Sequence, residues 1–265
     1  MPSLLNKTLS SLKNRGLIKT LRNVVRYSFN RYPLNLIKRN RFQKNVLSLD
    51  KIEDRFTAIY ERNVWGNDES VSGWGSTLTY TAHLRSQLPA LFEKYAVKSV
   101  FDAPCGDFNW MRHVLQANEL TYTGGDIVEP LIAAHNEKFG SSATRFIHIN
   151  LIVEKFPLSD LMICRDCLFH LSFRDTRSVL QNFVDSGIPY LLTTTYVNNG
   201  LFENKDIQTG DFRLIDLFSA PYILPRDVGF RVDDFQPPEP KREMCLWTRE
   251  QIASALPRSQ LPAHD

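Results

Sequence analysis

Val100-Phe-Asp-Ala-Pro-Cys-Gly-Asp-Phe-Asn-Trp110 is the stretch on which the fold turns. A short apolar run closes on Asp102, a turn carries Gly106, and Trp110 opens a helical pattern. The same alternation continues outward. Apolar strands are expected near 98–103, 120–125, 144–149, 160–165 and 189–196, with helices near 108–118, 128–139 and 174–185 between them. Strands separated by helices require right-handed crossovers and a mostly parallel sheet. In such sheets ligands bind beyond the carboxyl ends of the strands, so the turns after the strands are where chemistry is sought. An acidic strand end beside a single glycine suits a nucleoside ligand bearing a cationic group. It does not suit a pyrophosphate, which wants a glycine-rich turn of N–H donors, and both the G-x-G-x-x-G fingerprint and the Walker A motif are absent.

Upstream, two helices are expected, one over 51–64 (Ile52, Phe56, Ile59, Tyr60) and one marked by Leu84, Leu88, Leu91, Phe92 and Tyr95. The turn-rich segment NDESVSGWGS, residues 67–76, separates them. Downstream of 197 the chain is Pro-rich, with one late strand candidate at Met244–Trp247.

The chain has 265 residues, 43% hydrophobic and 23% charged, the composition of an ordinary globular protein with no run long enough to span a bilayer. Four cysteines are too few for a disulfide scaffold, which makes a reducing cytoplasm the expectation. The net charge of +3 conceals an asymmetry. Eleven Lys and Arg and no acid precede Asp50, and the remainder holds 21 basic against 29 acidic residues, a net of −8. In the arm, Leu5, Leu9, Leu12, Leu17, Leu21, Val24, Val25 and Phe29 recur at helical spacing with Lys and Arg between them. The basic amphipathic pattern fits packing on the body, docking on an anionic membrane surface at the inner face of the membrane, or, on weaker grounds, nucleic acid.

The second strand ends in Gly124-Gly-Asp126-Ile127. Asp126 follows Asp102 at about the spacing at which the acidic residue of such folds meets ribose hydroxyls, and it also suits a helix N-terminus; both roles can hold together. At this point the sequence resembles the class I S-adenosylmethionine-dependent methyltransferases. In particular it resembles a subfamily with a D-x-P-C-G-D-F-x-W-M block and a later R-D-C-L-x-H-L. The resemblance spans about 55–248. It takes in Trp65-Gly66, Ser70–Ser76, Asp102–Met111, Gly125-Asp-Ile127, Cys164–Leu171, Leu191–Thr195 and Asn204–Arg213. It implies a doubly wound, mostly parallel seven-stranded α/β sheet, the Rossmann-like methyltransferase fold, with an N-terminal helical extension. The expected organisation is a basic helical arm over 1–49, a helical cap over 50–96 and a methyltransferase domain over 97–265.

The resemblance also implies a division of labour around S-adenosylmethionine. Asp102, with Ala103, Pro104, Cys105, Gly106 and Trp110, would meet the amino-acid and ribose portions, and Asp126 with Ile127 the ribose hydroxyls. Asn150 and Leu151 would meet the adenine, and Arg165 the methyl end. Trp74 and Ser76 would belong to a segment folded over the cofactor. Three positions depart from the pattern: a lone Gly106 in the first turn, Asn150 where Asp is frequent, and Phe212 in place of Trp.

A hydroxyl acceptor must lose its proton as the methyl arrives, and His170, with an unperturbed pKa of ~6.5, is the candidate base. Asp166 is the alternate base or an acceptor-orienting group, and Asn204, Asp206 and Arg213 are candidates for binding a polar small-molecule or glycan acceptor. A divalent cation on Asp166 and Asp206 remains open. Zinc on the lone Cys164-x-x-Cys167 pair and G-x-S-x-G hydrolysis are set aside. An S-adenosylmethionine-dependent enzyme acting on a carbohydrate or glycolipid oxygen is the expectation. A methyltransferase-like scaffold without turnover is its rival, and a nicotinamide oxidoreductase is disfavoured by the missing glycine fingerprint.

Overall fold

The computed structural model describes residues 44–65 and 67–256. The amphipathic helices expected in the arm, Leu5 to Phe29, lie outside these residues; a separate short helical stretch stands at 44–47. From Leu49 onward the chain forms one compact unit.

Five parallel strands come first: β1 (Ser99–Asp102), β2 (Thr121–Asp126), β3 (Thr144–His148), β4 (Leu161–Cys164) and β5 (Tyr190–Tyr196). Four fall within the expected ranges, and β2 runs one residue past its own, to Asp126. β6 (Phe230–Asp233) and β7 (Arg242–Thr248) complete a seven-stranded sheet of order β3-β2-β1-β4-β5-β7-β6, with β7 antiparallel to both neighbours. The late strand expected at Met244–Trp247 extends by two residues toward its start, because Arg242 and Glu243 are buried on polar partners rather than apolar ones. β6 carries no periodic signal. It is a four-residue edge strand on which Arg231 and Asp233 are exposed, and charges on a short edge discourage pairing with another chain.

Among the described residues from Leu49 onward, six α-helices cover the faces: α1 (Ile52–Glu61), α2 (Ala82–Lys94), α3 (Met111–Gln116), α4 (Glu129–Phe139), α5 (Phe173–Ser186) and α6 (Arg249–Ala255). Alternation along the strands divides the core in two. Val100, Leu161, Ile163, Leu192, Met244 and Leu246 point to α2, α3 and α4, where Leu84, Leu88, Leu91, Met111, Val114 and Ile132 meet them. Phe101, Met162, Cys164, Leu191, Cys245 and Trp247 point the other way, to Val179, Leu180 and Phe183 of α5 and Ile252 of α6. Each such buried side chain contributes roughly 1.5–3 kcal/mol of gross stabilisation. Because α2 shares its core with the sheet, the helices of 50–96 are part of the same layered body.

β1 pairs with β2 on one side and β4 on the other, so the chain reverses its winding between β1 and β4. Their carboxyl ends open the crevice in which α/β sheets bind ligands.

Candidate active site

Asp102 ends β1 at 2% exposure, with the Tyr122 hydroxyl donating to its Oδ2 at 2.7 Å. Burial pushes its pKa up to about 7, against the pull of the Tyr122 hydrogen bond and of Arg165. A carboxyl in that state is short of positive charge, and a cationic ligand would supply it. The following turn is pinned from below. The Cys105 N–H donates to the Gly125 carbonyl at 2.8 Å, and the Gly106 N–H donates to Asp126 Oδ2 at 3.0 Å. Gly106 stands at φ +52°, and a β-carbon there would run into Ser72 Oγ. Glycine is what lets the upper segment close onto this turn.

Asp126 is also buried. Its Oδ1 accepts the Val128 N–H at 3.1 Å, just before α4. Desolvation raises its pKa, opposed by the N–H donors of Val128, Gly106 and Ile127. It therefore ties both the Gly106 turn and the entry to α4, and each carboxylate oxygen keeps a second lone pair. Asn150 lies deeper than its expected role suggests. Its Nδ2 donates to Glu53 Oε1 at 2.9 Å and its Oδ1 accepts the Ile152 N–H at 3.0 Å, which links β3's exit to α1. Leu151 beside it is buried, and its carbonyl accepts from Asn182 Nδ2 at 2.9 Å. Ile127 is half-buried, its carbonyl 3.0 Å from His148 Nε2.

The segment 70–76 crosses over the Gly106 turn. The Asp107 N–H donates to Ser72 Oγ at 2.9 Å, the Val71 N–H to Asp107 Oδ2 at 2.9 Å, and buried Asn109 Nδ2 to Glu69 Oε1 at 2.8 Å and the Ser76 carbonyl at 3.1 Å. Phe108 at φ +59° completes this tight turn, which delays the helix expected from 108 until Met111. Trp74 opens a 3-10 turn, Trp74–Ser76, and remains 46% exposed, edge-on to Tyr80 at 6.3 Å.

Beyond β4 stands a network of two guanidiniums and two carboxylates, buried except at Asp166, whose side chain is 23% exposed. Arg165 donates from Nε to Asp234 Oδ2 at 2.8 Å and from Nη2 to Asp234 Oδ1 at 3.0 Å and the Gly75 carbonyl at 2.8 Å. Asp166 lies 3.3 Å from Arg165 Nη1 and 3.0 Å from Arg242 Nη1. Arg242 Nε also donates to the Asp234 carbonyl at 2.8 Å, and its Nη2 is buried without a hydrogen-bond partner among the described residues. The Tyr80 ring lies beneath both guanidiniums, and Trp110 lies beneath Arg165 at 5.6 Å. Burial works against the Asp166 charge, but Arg165, Arg242 and His170 outweigh it and hold its pKa below the usual range. Asp166 is thus a weak base and a strong hydrogen-bond acceptor. Two arginines on one carboxylate also leave no charge for a divalent cation. Asp206 is engaged elsewhere, accepting the Phe173 N–H at 2.7 Å. Among the described residues no group of three or more His, Cys, Asp or Glu side chains gathers where it could hold a metal ion.

His170 closes the 3-10 turn Leu168–His170. Its Nδ1 is 2.8 Å from the Asp211 carbonyl, which only accepts, so Nδ1 carries the proton. In the neutral ring Nε2 then holds the lone pair. Burial lowers the His170 pKa, while Asp211 and Asp166 pull it up. Trp65 stacks on the ring at 5.6 Å and Phe212 tilts against it at 5.9 Å, the two 40% and 50% exposed. The result is an aromatic rim around a proton-accepting nitrogen.

The remaining candidates hold the 198–216 loop. Asn204 Nδ2 donates to the Asp216 and Ala220 carbonyls at 2.8 and 2.7 Å, and its Oδ1 accepts the Asp216 N–H at 2.9 Å. Arg213 is buried on Tyr222 Oη at 2.8 Å and over the Phe173 ring, 3.7 Å from Asp206. The four cysteines are free and buried; a hydrogen bond with Cys164, together with burial, raises the Cys167 thiol.

No family model matches the chain, and no curated protein matches it. Solved structures do. Magnesium protoporphyrin IX methyltransferase from Synechocystis PCC 6803 superposes with a TM-score of 0.50 at 16% identity, over 72% of this chain and 92% of that one. The 1,6-didemethyltoxoflavin-N1-methyltransferase of Burkholderia thailandensis, bound to its substrate and S-adenosylhomocysteine, gives 0.53 at 16% over 74% and 86%. The N-methyltransferase NodS of Bradyrhizobium japonicum with S-adenosylhomocysteine gives 0.52 at 14% over 72% and 97%. The chain has the Rossmann-like methyltransferase fold. At these identities the likeness is one of fold alone.

Within this methyltransferase fold, the positions that sequence reasoning passed over are Arg242, Asp234, Tyr80 and Ser72. Arg242 and Asp234 lie on and before β7, in the Pro-rich tail where no periodicity marks them. Only the buried partner Arg165 could have signalled them, since a guanidinium at a strand end demands carboxylates.

Proposed function

We propose that this chain is an S-adenosylmethionine-dependent methyltransferase that methylates a hydroxyl of a carbohydrate or glycolipid acceptor. The observation that carries the cofactor half is the crevice at the switch point. There, two buried carboxylates, Asp102 and Asp126, flank a glycine turn with raised proton affinities that a cationic nucleoside would relieve. The likeness of fold to methyltransferases solved with S-adenosylhomocysteine supports it.

When bound, the cofactor supplies an electrophilic methyl on a sulfonium. The protein's task is alignment and exclusion of water. Asp102 would hold the ammonium end, Asp126 the ribose diol, and the 70–76 segment would cover them. Asp166, fixed by Arg165 and Arg242, would accept a hydrogen bond from the acceptor and set its orientation. His170 Nε2 would take the hydroxyl proton, its Nδ1–H steadied by the Asp211 carbonyl. The exposed faces of Trp65, Trp74 and Phe212 support a ring-shaped acceptor with an apolar face. The basic arm would bring the enzyme to an anionic membrane where lipid-linked glycans lie.

Calorimetry with S-adenosylhomocysteine, followed by transfer of labelled methyl from S-adenosylmethionine to glycan, lipid and protein fractions, tests both halves. Binding at one site per chain and label in the glycan or lipid fraction are expected, with His170→Gln lowering the rate by roughly 10²–10⁴. Absence of binding sinks the cofactor assignment, and label confined to protein or amines sinks the acceptor.

A further inference from the structure

One hydrogen bond does not fix an imidazole. The Asp211 carbonyl holds His170 Nδ1, but the ring can still swing about that contact unless something lies against its face. Trp65 does, stacking at 5.6 Å with 28° between planes, while Phe169 meets the ring at 4.6 Å and 62°. Turning the imidazole would drive its edge into the indole. The same Trp65 side chain rests on Gly73, where a β-carbon would come within 3.1 Å of Trp65 Cβ. Gly73 in turn accepts the Ser76 N–H at 3.0 Å, and Gly75 is held by Arg165. One indole thus touches both the crossing segment and the ring, and its 40% exposure means that packing in the core is not what holds it there.

We propose that Trp65 is a positioning residue, whose indole face holds the plane of His170, and with it the Nδ1–H contact to the Asp211 carbonyl that sets the tautomer, and relays to the ring the placement of the 70–76 segment. This rests on the assignment of His170 as the proton acceptor. Charged groups face His170 from three elements: Asp166 after β4, Asp211 in the loop after β5, and Arg242 on β7. The carboxylates favour its protonation, while burial and Arg242 oppose it. Taking the indole away admits water, weakens the burial effect and moves the ring toward its ordinary proton affinity.

The test is ¹⁵N NMR of the imidazoles in the full chain, with His170 assigned by its loss in His170→Gln. The wild type is expected to show the Nδ1–H tautomer and a titration midpoint below ~6.5. Trp65→Ala should raise the midpoint toward the ordinary imidazole value and populate the Nε2–H tautomer, and Trp65→Phe should restore both. Should the alanine variant fail to fold, Trp65→Leu, bulky but without a flat face, takes its place with the same expectation. An unchanged tautomer and midpoint in the variant lacking a ring overturns the proposal. S-adenosylhomocysteine binding by wild type, measured separately, decides the cofactor reading whatever the imidazole does.

Discussion

At the residue scale, Asp102 determines how the site responds to pH. Its carboxyl is shifted from an ordinary 3.8 to about 7 by burial. Between those values the folded protein keeps a proton that the unfolded chain has released. Stability from this group therefore falls as pH rises through that window and is lowest above it. The slope is on the order of 1.4 kcal/mol per pH unit where the two states differ by a full proton. Asp102→Asn keeps an acceptor for Tyr122 and removes the titration. Urea midpoints from pH 5 to 8 should fall less steeply in the variant than in wild type, and parallel profiles would contradict this assignment. For a cationic cofactor the sign inverts. Affinity should climb with pH toward 7 by up to about tenfold per unit, with proton release visible in calorimetry in buffers of different ionisation enthalpy. The positions of Asp102 and Asp126 at strand ends, and of His170 in the turn that follows β4, were legible in the sequence because apolar strands mark where their turns begin. Arg242 was not, because its meaning comes from Asp166, which is 76 positions away in the chain and adjacent only after β5 and β7 pair.

Elements were legible where periodicity was long and closure was local. α5 has a Ser172 side chain accepting the Asp175 N–H at 3.1 Å and Gly187 at φ +81° just beyond its end, so the expected 174–185 became Phe173–Ser186. α6 has a reciprocal cap. The Gln251 N–H donates to Thr248 Oγ1 at 3.2 Å, and the Thr248 N–H donates to Gln251 Oε1 at 2.8 Å. The helix is only seven residues long and carries one fully buried apolar residue, Ile252, so the cap is a large share of what holds it. Thr248→Ala should cost about 1 kcal/mol in chemical denaturation. Because Thr248 pairs with Tyr190, the first residue of β5, α6 begins at the amino end of the parallel strands, away from the crevice, and cofactor binding should be unchanged. A tenfold loss of affinity for S-adenosylhomocysteine would mean that this end of the sheet reaches the crevice. The edge strand β6 escaped notice for the opposite reason: four residues with two exposed charges give no pattern to read.

On the scale of the whole molecule, the four-charge network joins parts of the chain that lie far apart in the sequence. Arg165 and Asp166 follow β4, Asp234 follows β6, Arg242 begins β7, and Gly75 brings in the crossing segment. The four charges cancel, so the cost of burying them is met only while all are present. Asp234→Asn should leave Arg165 without its bidentate partner and cost roughly 3–5 kcal/mol. Replacing both partners, Arg165→Met with Asp234→Leu, leaves the Arg242–Asp166 pair neutral and should recover much of that loss. Stability in the double variant should therefore exceed that of Asp234→Asn alone. Methyl transfer should not recover with it, because the Gly75 carbonyl has lost its donor and the 70–76 segment the anchor nearest Asp166. If the double variant is the less stable of the two, the network is a source of stability in its own right rather than a device for positioning, and the segment above the crevice is held by Asn109 and Ser72 instead.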